Sequence, residues 1–128
     1  MDKLSRFAPT VIRFVLALSF ILHGLPKLTN AAQVAPFFEK IGIPLPYQAV
    51  IFIGLLEVAG GILLFIGSGT RFVSPLLAID MLLAILLTKV GKGYVGGYEL
   101  ELLLLAGAVS VFLSGPGAWA LQKANKSA

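Results

Sequence analysis

The sequence predicts an all-α membrane protein in which four transmembrane helices form an antiparallel bundle, with a short interfacial helix between helices 1 and 2. Hydrophobic residues make up 58% of the 128 residues and charged residues only 12%, which lies outside the range of soluble globular domains. Four apolar stretches each approach the roughly 20 residues that a helix needs to cross the hydrocarbon core. The length suits a single domain, residues 1–128.

Helix 1 is predicted over residues 9–28. Pro9 suits its first turn, where a backbone N–H would have no helical partner, and Pro26 bends or ends the helix near its far end. Basic residues precede the apolar run, as in a signal peptide, but no small-x-small cleavage pattern follows it. We therefore expect helix 1 to be retained.

The other three helices are predicted over residues 48–67, 72–90 and 98–114. The turn 67–71 is so short that the second and third helices should be antiparallel neighbours. Residues 30–40 are amphipathic and precede a breaker with Pro44 and Pro46. This pattern predicts the short interfacial helix.

The charge distribution predicts an orientation and excludes one class of partner. Six of the ten Lys and Arg residues fall on the side of the termini, so the positive-inside rule places both termini in the cytoplasm, for a multi-pass protein of the cell membrane. Trp119, Lys123 and Lys126 are expected to form an interfacial anchor and a basic tail. The basic residues are spread singly among apolar runs, which excludes nucleic acid as a partner.

The lack of cysteine and the single histidine restrict the chemistry. Without cysteine there is no CxxC redox pair, no thiolate metal ligand and no cysteine nucleophile. With His23 as the one histidine, two histidines cannot ligate a haem within one chain. No HxxxH or ExxH spacing predicts a metal site. A redox role would therefore need a bound cofactor or a partner protein.

The ionisable residues expected near the bilayer centre are His23, Glu57 and Asp80, whereas others lie nearer the ends of the predicted helices: Arg13, Lys27, Lys89, Glu99 and Glu101. Such groups cost about 2.5–3.5 kcal/mol each near the bilayer centre, so they normally face other helices and pair. At about 1.5 Å per residue, His23, Glu57 and Glu99 reach similar depths in the half of the membrane away from the termini, where they could meet. Glu99 and Glu101 point to opposite sides of their helix, and we expect Glu99 inside because it follows a Gly-Gly-Tyr run.

One face of helix 1 is expected to point inward, because its members follow three- and four-residue spacing. These members are Arg13, Leu16, Phe20, His23 and Lys27. Gly24 on helix 1 and Gly61 beside Glu57 should let neighbouring helices approach closely. We expect Lys27 to extend its amine to the head groups, and Arg13 to do the same or to pair with Asp80.

Three motifs occur in order along the chain: FILHGLPKL at Phe20–Leu28, LLEVAGGILL at Leu55–Leu64 with GxGTR at Gly67–Arg71, and GGYELELLLL at Gly96–Leu105 with GPG at Gly115–Gly117. Together they resemble the DoxX family of small four-helix bacterial membrane proteins, over nearly the whole chain. That family includes relatives of the membrane subunit of thiosulfate:quinone oxidoreductase alongside many members with no assigned activity.

The resemblance carries over to individual positions. The matching residues are His23, Gly24, Lys27, Glu57, Gly61 and Glu99. Asp80 has no match, so its expected role rests on burial alone.

We interpret the polar cluster as a quinone or proton-relay site in a membrane subunit or adaptor of a redox system linked to the quinone pool. A neutral imidazole can donate to a quinone carbonyl and relay protons with a nearby acid, so His23, Glu57 and Glu99 are the candidates. Lys27, Asp80, Gly24 and Gly61 would support them. A redox partner protein would supply the electrons, and whether the chain is itself an enzyme stays open.

Two other interpretations are open. The cluster could only hold the helices together, in a non-catalytic scaffold that recruits partner proteins. A homo-oligomer could instead form a small proton-coupled transporter, although no broken helix or inverted repeat is visible. Membrane lipid is a partner in every case.

Overall fold

The computed structural model describes residues 3–89 and 93–121, and every regular element in these ranges is helical. A 3₁₀ helix, Lys3–Phe7, leads into α1. The α-helices are α1 (Ala8–Thr29), α2 (Ala31–Lys40), α3 (Pro46–Ile66), α4 (Thr70–Ala84) and α5 (Glu99–Ser114). One π-helical segment, Ile85–Lys89, extends α4, and another, Tyr94–Tyr98, precedes α5. The predicted all-helical class is confirmed.

Three helical segments of the described chain are long and apolar enough to cross a membrane: Leu4–Thr29, Pro46–Ile66 and Thr70–Leu87. Their outer faces carry large apolar side chains that are exposed, such as Leu18, Phe52 and Phe72. A surface of this kind is stable against lipid tails rather than water.

Glycines set the turn between α3 and α4. Gly67 has φ of 71°, and its N–H donates to the carbonyl oxygen of Leu64 at 3.2 Å, while Ser68 N–H donates to that of Leu63 at 3.0 Å. This is the usual way in which a left-handed glycine ends a helix. The helix bounds fall within two residues of the predicted ones, except that the predicted end at Val90 lies outside the described residues.

Helices α1 and α3 pack closely along their length through two glycines. A Cβ added at Gly24 would lie 2.8 Å from Val58 Cγ2 and 3.0 Å from the carbonyl oxygen of Gly54. At Gly61 it would lie 2.9 Å from the carbonyl oxygen of Ala17. The predicted close approach at both glycines is therefore present, and it brings the polar face of α1 onto α3.

Helices α1, α3, α4 and α5 surround a common apolar core, and α2 packs on α3. The largest apolar side chains of this core are fully buried: Phe20, Leu64, Leu77, Val50 and Val111. Leu16 fits against Gly107 of α5, where a Cβ would come within 2.8 Å of its Cδ2.

Arg13 is completely buried at one end of these helices and uses all five N–H donors of its guanidinium. Nη1 donates to the carbonyl oxygens of Leu64 and Phe65, each at 2.7 Å. Nε donates to Pro116 at 2.9 Å, and Nη2 to Ala118 and Trp119, each at 2.8 Å. The expectation that Arg13 would extend to the head groups or pair with Asp80 is wrong, because its guanidinium instead binds the last carbonyl oxygens of α3, at the negatively polarised end of that helix.

The two terminal segments meet at this same end. Ala118 N–H donates to the carbonyl oxygen of Arg6 at 3.0 Å, and Leu121 N–H donates to that of Ile66 at 2.9 Å. The Trp119 ring lies 5.1 Å from that of Phe7, at the exposed surface. Helix α2 joins α1 to α3 at the opposite end of the helices. Lys123 and Lys126, assigned to a basic tail, lie outside the described residues.

Candidate functional site

A cavity of about 250 Å³ lies at the end of the helices opposite Arg13. For comparison, a dry cavity of about 150 Å³ is enough to hold a benzene ring. Its walls are mostly apolar and include Phe37, Phe38, Ile41 and Ile53. Its polar lining residues are His23 and Lys27 from α1, Glu57 from α3, Asp80 from α4 and Glu101 from α5.

Lys27 and Glu57 form a salt bridge at the cavity wall. Lys27 Nζ lies 2.6 Å from Glu57 Oε1, and the Lys27 and Glu57 side chains are 21% and 1% exposed, respectively. Nζ also lies 3.4 Å from the carbonyl oxygen of His23. The sequence had suggested that Lys27 extends its amine to the head groups. That expectation is wrong, because the amine binds Glu57 instead. The glycine contacts of α1 and α3 place it beside a buried carboxylate, which needs a counter-charge.

Asp80 adds a second carboxyl group next to this pair. It is 8% exposed, and its carboxyl is near enough to that of Glu57 for the two to interact. Its Oδ2 is shielded from solvent and has no hydrogen-bond partner among the described residues. The structure thus brings Lys27, Glu57 and Asp80 together, from three different helices.

His23 lies at the cavity edge and is exposed, unlike the rest of the predicted inward face. At 100° per residue, its position on α1 is roughly 65° from the centre of the buried face formed by Arg13, Leu16, Phe20 and Gly24. Within the described residues its imidazole makes no hydrogen bond. Both ring nitrogens are therefore available to a ligand that enters the cavity.

Helix α5 presents Glu101 to the cavity, whereas the sequence favoured Glu99. Glu101 lines the cavity and has one carboxylate oxygen shielded from solvent, while Glu99 is not part of the lining. Glu101 lies three and seven residues before the buried Leu104 and Ala108 of α5, so it shares their inward face, whereas Glu99 does not. The expected meeting of His23, Glu57 and Glu99 is therefore replaced by one in which Glu101 takes part.

The sequence interpretation did not include the aromatic cover of the cavity. Phe37 and Phe38 of α2, with Ile41 and Ile43 after it, close one side of the cavity. The signal was the pair of adjacent phenylalanines in an amphipathic helix, which had been assigned to the membrane surface alone. Within residues 3–89 and 93–121, no three acidic or histidine side chains are grouped as metal ligands.

This arrangement combines an apolar chamber with a few polar groups at one wall. Such a chamber can hold the ring of a lipophilic molecule while the polar groups fix its head. His23 and Lys27 can donate hydrogen bonds, and the carboxyl groups can accept them or exchange protons.

Comparison with known proteins gives one family and several relatives. The family model described as DoxX matches residues 8–90. "Putative oxidoreductase CatD" of Bacillus subtilis (strain 168) is 31% identical over 115 residues, which cover 90% of this chain and 84% of CatD. An uncharacterized membrane protein of Mycobacterium tuberculosis is 32% identical over 126 residues, covering 88% of this chain and 77% of that protein.

A third relative matches a shorter stretch. The inner membrane protein YphA of Escherichia coli (strain K12) is 31% identical over 61 residues, which cover 48% of this chain and 44% of YphA. No solved structure matches the chain.

Proposed function

Because the chain belongs to the DoxX family of membrane proteins, we propose that it is a membrane subunit or adaptor of a redox system linked to the quinone pool. In this proposal the cavity binds the head group of a quinone. The name of CatD, which calls that relative an oxidoreductase, supports a redox role.

The observation that carries the proposal is a ring-sized apolar cavity with ionisable groups on its wall, set among helices that can cross a membrane. A quinone has an apolar tail, a flat ring and two carbonyl oxygens that accept hydrogen bonds. The aromatic and aliphatic walls suit the ring, and His23 and Lys27 suit the carbonyls.

The residues at the wall would have distinct roles. The ring nitrogens of His23 have no partner among the described residues. His23 would donate a hydrogen bond to one quinone carbonyl and transfer a proton to it. Glu57, held by Lys27, would help to exchange protons when the quinone takes up two electrons and two protons to become a hydroquinone. The electrons would come from a partner protein, since the chain has no cysteine and a single histidine.

The proposal includes an arrangement in the membrane. The chain would form one domain with four crossings, the fourth being α5, and with α2 at the surface and both termini cytoplasmic. Its support is the meeting of the terminal segments beside the end of α3, which fits an even number of crossings. The excess of basic residues on that side supports the cytoplasmic assignment.

Quinone binding to the purified protein tests this function. We expect a short-chain quinone analogue to bind saturably in detergent or nanodiscs. Ala84→Phe, which fills the cavity, should weaken binding at least about tenfold, the effect of losing about 1.4 kcal/mol of binding free energy. His23→Ala should weaken it less, because one hydrogen bond is lost while the cavity remains.

Ala59→Phe is the matched control, because Ala59 is exposed on α3 and does not line the cavity. It should bind the analogue as the unchanged protein does. No saturable binding, or equal binding by the two phenylalanine variants, would contradict the proposal and favour a scaffold that recruits partner proteins.

A further inference from the structure

The polar lining of the cavity contains more hydrogen-bond acceptors than donors. Three carboxyl groups, of Glu57, Asp80 and Glu101, face the amine of Lys27 and the imidazole of His23. The Lys27 amine is already bonded to Glu57 Oε1 at 2.6 Å. A ligand head that only accepts hydrogen bonds therefore finds few free donors on this wall.

Asp80 is the acceptor with the clearest need for a partner. Its side chain is 8% exposed, and its Oδ2 has no hydrogen-bond partner among the described residues. Leaving such an oxygen unpaired in an apolar setting is unfavourable. Asp80 lines the cavity, so a ligand there can supply the missing donor.

We propose that Asp80 accepts a hydrogen bond from a hydroxyl of a bound hydroquinone, so that the cavity binds the reduced form in preference to the oxidised quinone. This inference rests on the proposed function, since it concerns the same ligand class and cavity. The two forms have nearly the same shape, and they differ in that hydroquinone hydroxyls donate hydrogen bonds while quinone carbonyls only accept them. A hydrogen-bond donor is what Asp80 Oδ2 lacks.

The preference has a redox consequence. Tighter binding of the reduced form raises the reduction potential of the bound couple, by about 30 mV for each tenfold difference in a two-electron couple. The bound quinone therefore becomes easier to reduce than the free quinone in the membrane. The cavity would favour transfer of electrons from a partner protein to the quinone.

The test compares the Kd of one short-chain analogue in its oxidised and reduced forms, measured anaerobically on the purified full chain. We expect the unchanged protein to bind the hydroquinone about tenfold more tightly. In Asp80→Asn the preference should fall to within about twofold, because an amide can donate to a quinone carbonyl as well as accept from a hydroxyl.

Ser74→Ala provides the matched control. Ser74 lies on the same helix, is fully buried, and has an oxygen without a partner among the described residues, but it does not line the cavity. It should keep the full preference for the hydroquinone. Loss of the preference in both variants would assign the effect to α4 packing and overturn the inference.

The ratio in the unchanged protein is decisive even if Asp80→Asn does not fold. Equal affinity for the two forms, or tighter binding of the quinone, overturns the role of Asp80 but leaves the proposed function standing. Failure of both forms to bind contradicts the proposed function itself. The two failures are therefore distinguishable.

Discussion

At the residue scale, Lys27 and Glu57 form an ion pair in which each charge depends on the other. Glu57 is almost completely buried, so its carboxylate has little contact with solvent. In such a setting the loss of one partner is more costly than replacement of both, because the remaining charge stays buried without compensation.

We predict that Lys27→Met lowers the free energy of unfolding by about 3–5 kcal/mol, the usual cost of breaking a buried pair. Reversible unfolding in mixed micelles would measure it. Adding Glu57→Gln to Lys27→Met should recover more than half of the loss, because the uncompensated charge is removed.

Lys40→Met is the control for this prediction. Lys40 is exposed on α2, so its replacement should change the free energy of unfolding by no more than about 0.5 kcal/mol. Equal losses in the Lys27 and Lys40 variants would show that the ion pair does not stabilise the fold.

Sequence reasoning identified some of the cavity residues and missed others for definite reasons. Glu57 and Asp80 stand out as isolated acids in apolar helices, so their burial was predictable. Glu101 was not, because α5 is apolar on nearly all sides, so its sequence pattern does not mark an inward face. The role of Arg13 was also hidden, since its acceptors are backbone carbonyls, which leave no trace in side-chain patterns.

At the element scale, the contact of α1 with α3 determines the geometry of the cavity wall. Gly24 and Gly54 let the two backbones approach just where Lys27 and Glu57 meet. A larger residue at Gly24 would push α1 away from α3 and lengthen the ion pair.

We predict that Gly24→Ala destabilises the protein by about 1–3 kcal/mol, as overpacking does, although alanine is the better helix former. The added Cβ would meet the Gly54 carbonyl oxygen at 3.0 Å and Glu57 Cβ at 2.9 Å, and backbone cannot move away cheaply. Thermal unfolding in detergent would measure the loss.

Ala59→Val adds bulk to the exposed face of α3 and is the comparison for this variant. It should be close to neutral, because this side chain is exposed. If Gly24→Ala were as stable as the unchanged chain, the close approach of α1 and α3 would not hold.

Helix positions were predictable to within about two residues where apolar runs end at proline or glycine, as at Pro46 and Gly67. The contribution of α2 was less predictable. An amphipathic pattern shows that one face is apolar, but it does not distinguish a membrane surface from a cavity wall, and Phe37 and Phe38 serve the latter.

At the scale of the whole molecule, the two ends of the helices differ. One end is closed by the terminal segments around Arg13, and the other carries the cavity under α2. The predicted order of helices and turns made this asymmetry partly predictable, because four predicted crossings place both termini on one side. The sequence did not show that backbone hydrogen bonds join the two termini.

We predict that the end bearing Arg13 faces the cytoplasm. Because the chain has no cysteine, single cysteines can report on each side without background. A membrane-impermeant thiol reagent should label Lys40→Cys in intact spheroplasts and Ser5→Cys only after lysis. The reverse pattern would invert the orientation, and labelling of both from outside would contradict a membrane crossing by α1.

The bonds of Arg13 also bear on the order in which the protein assembles. Three of its five acceptors belong to residues that are added to the growing chain 103 to 106 residues after it. Until then only two of the five acceptors are present, the carbonyl oxygens of Leu64 and Phe65. The last segment to be synthesised is therefore the one that completes the surroundings of the first helix, and a chain broken off before Pro116 would keep an incompletely paired cation in its interior.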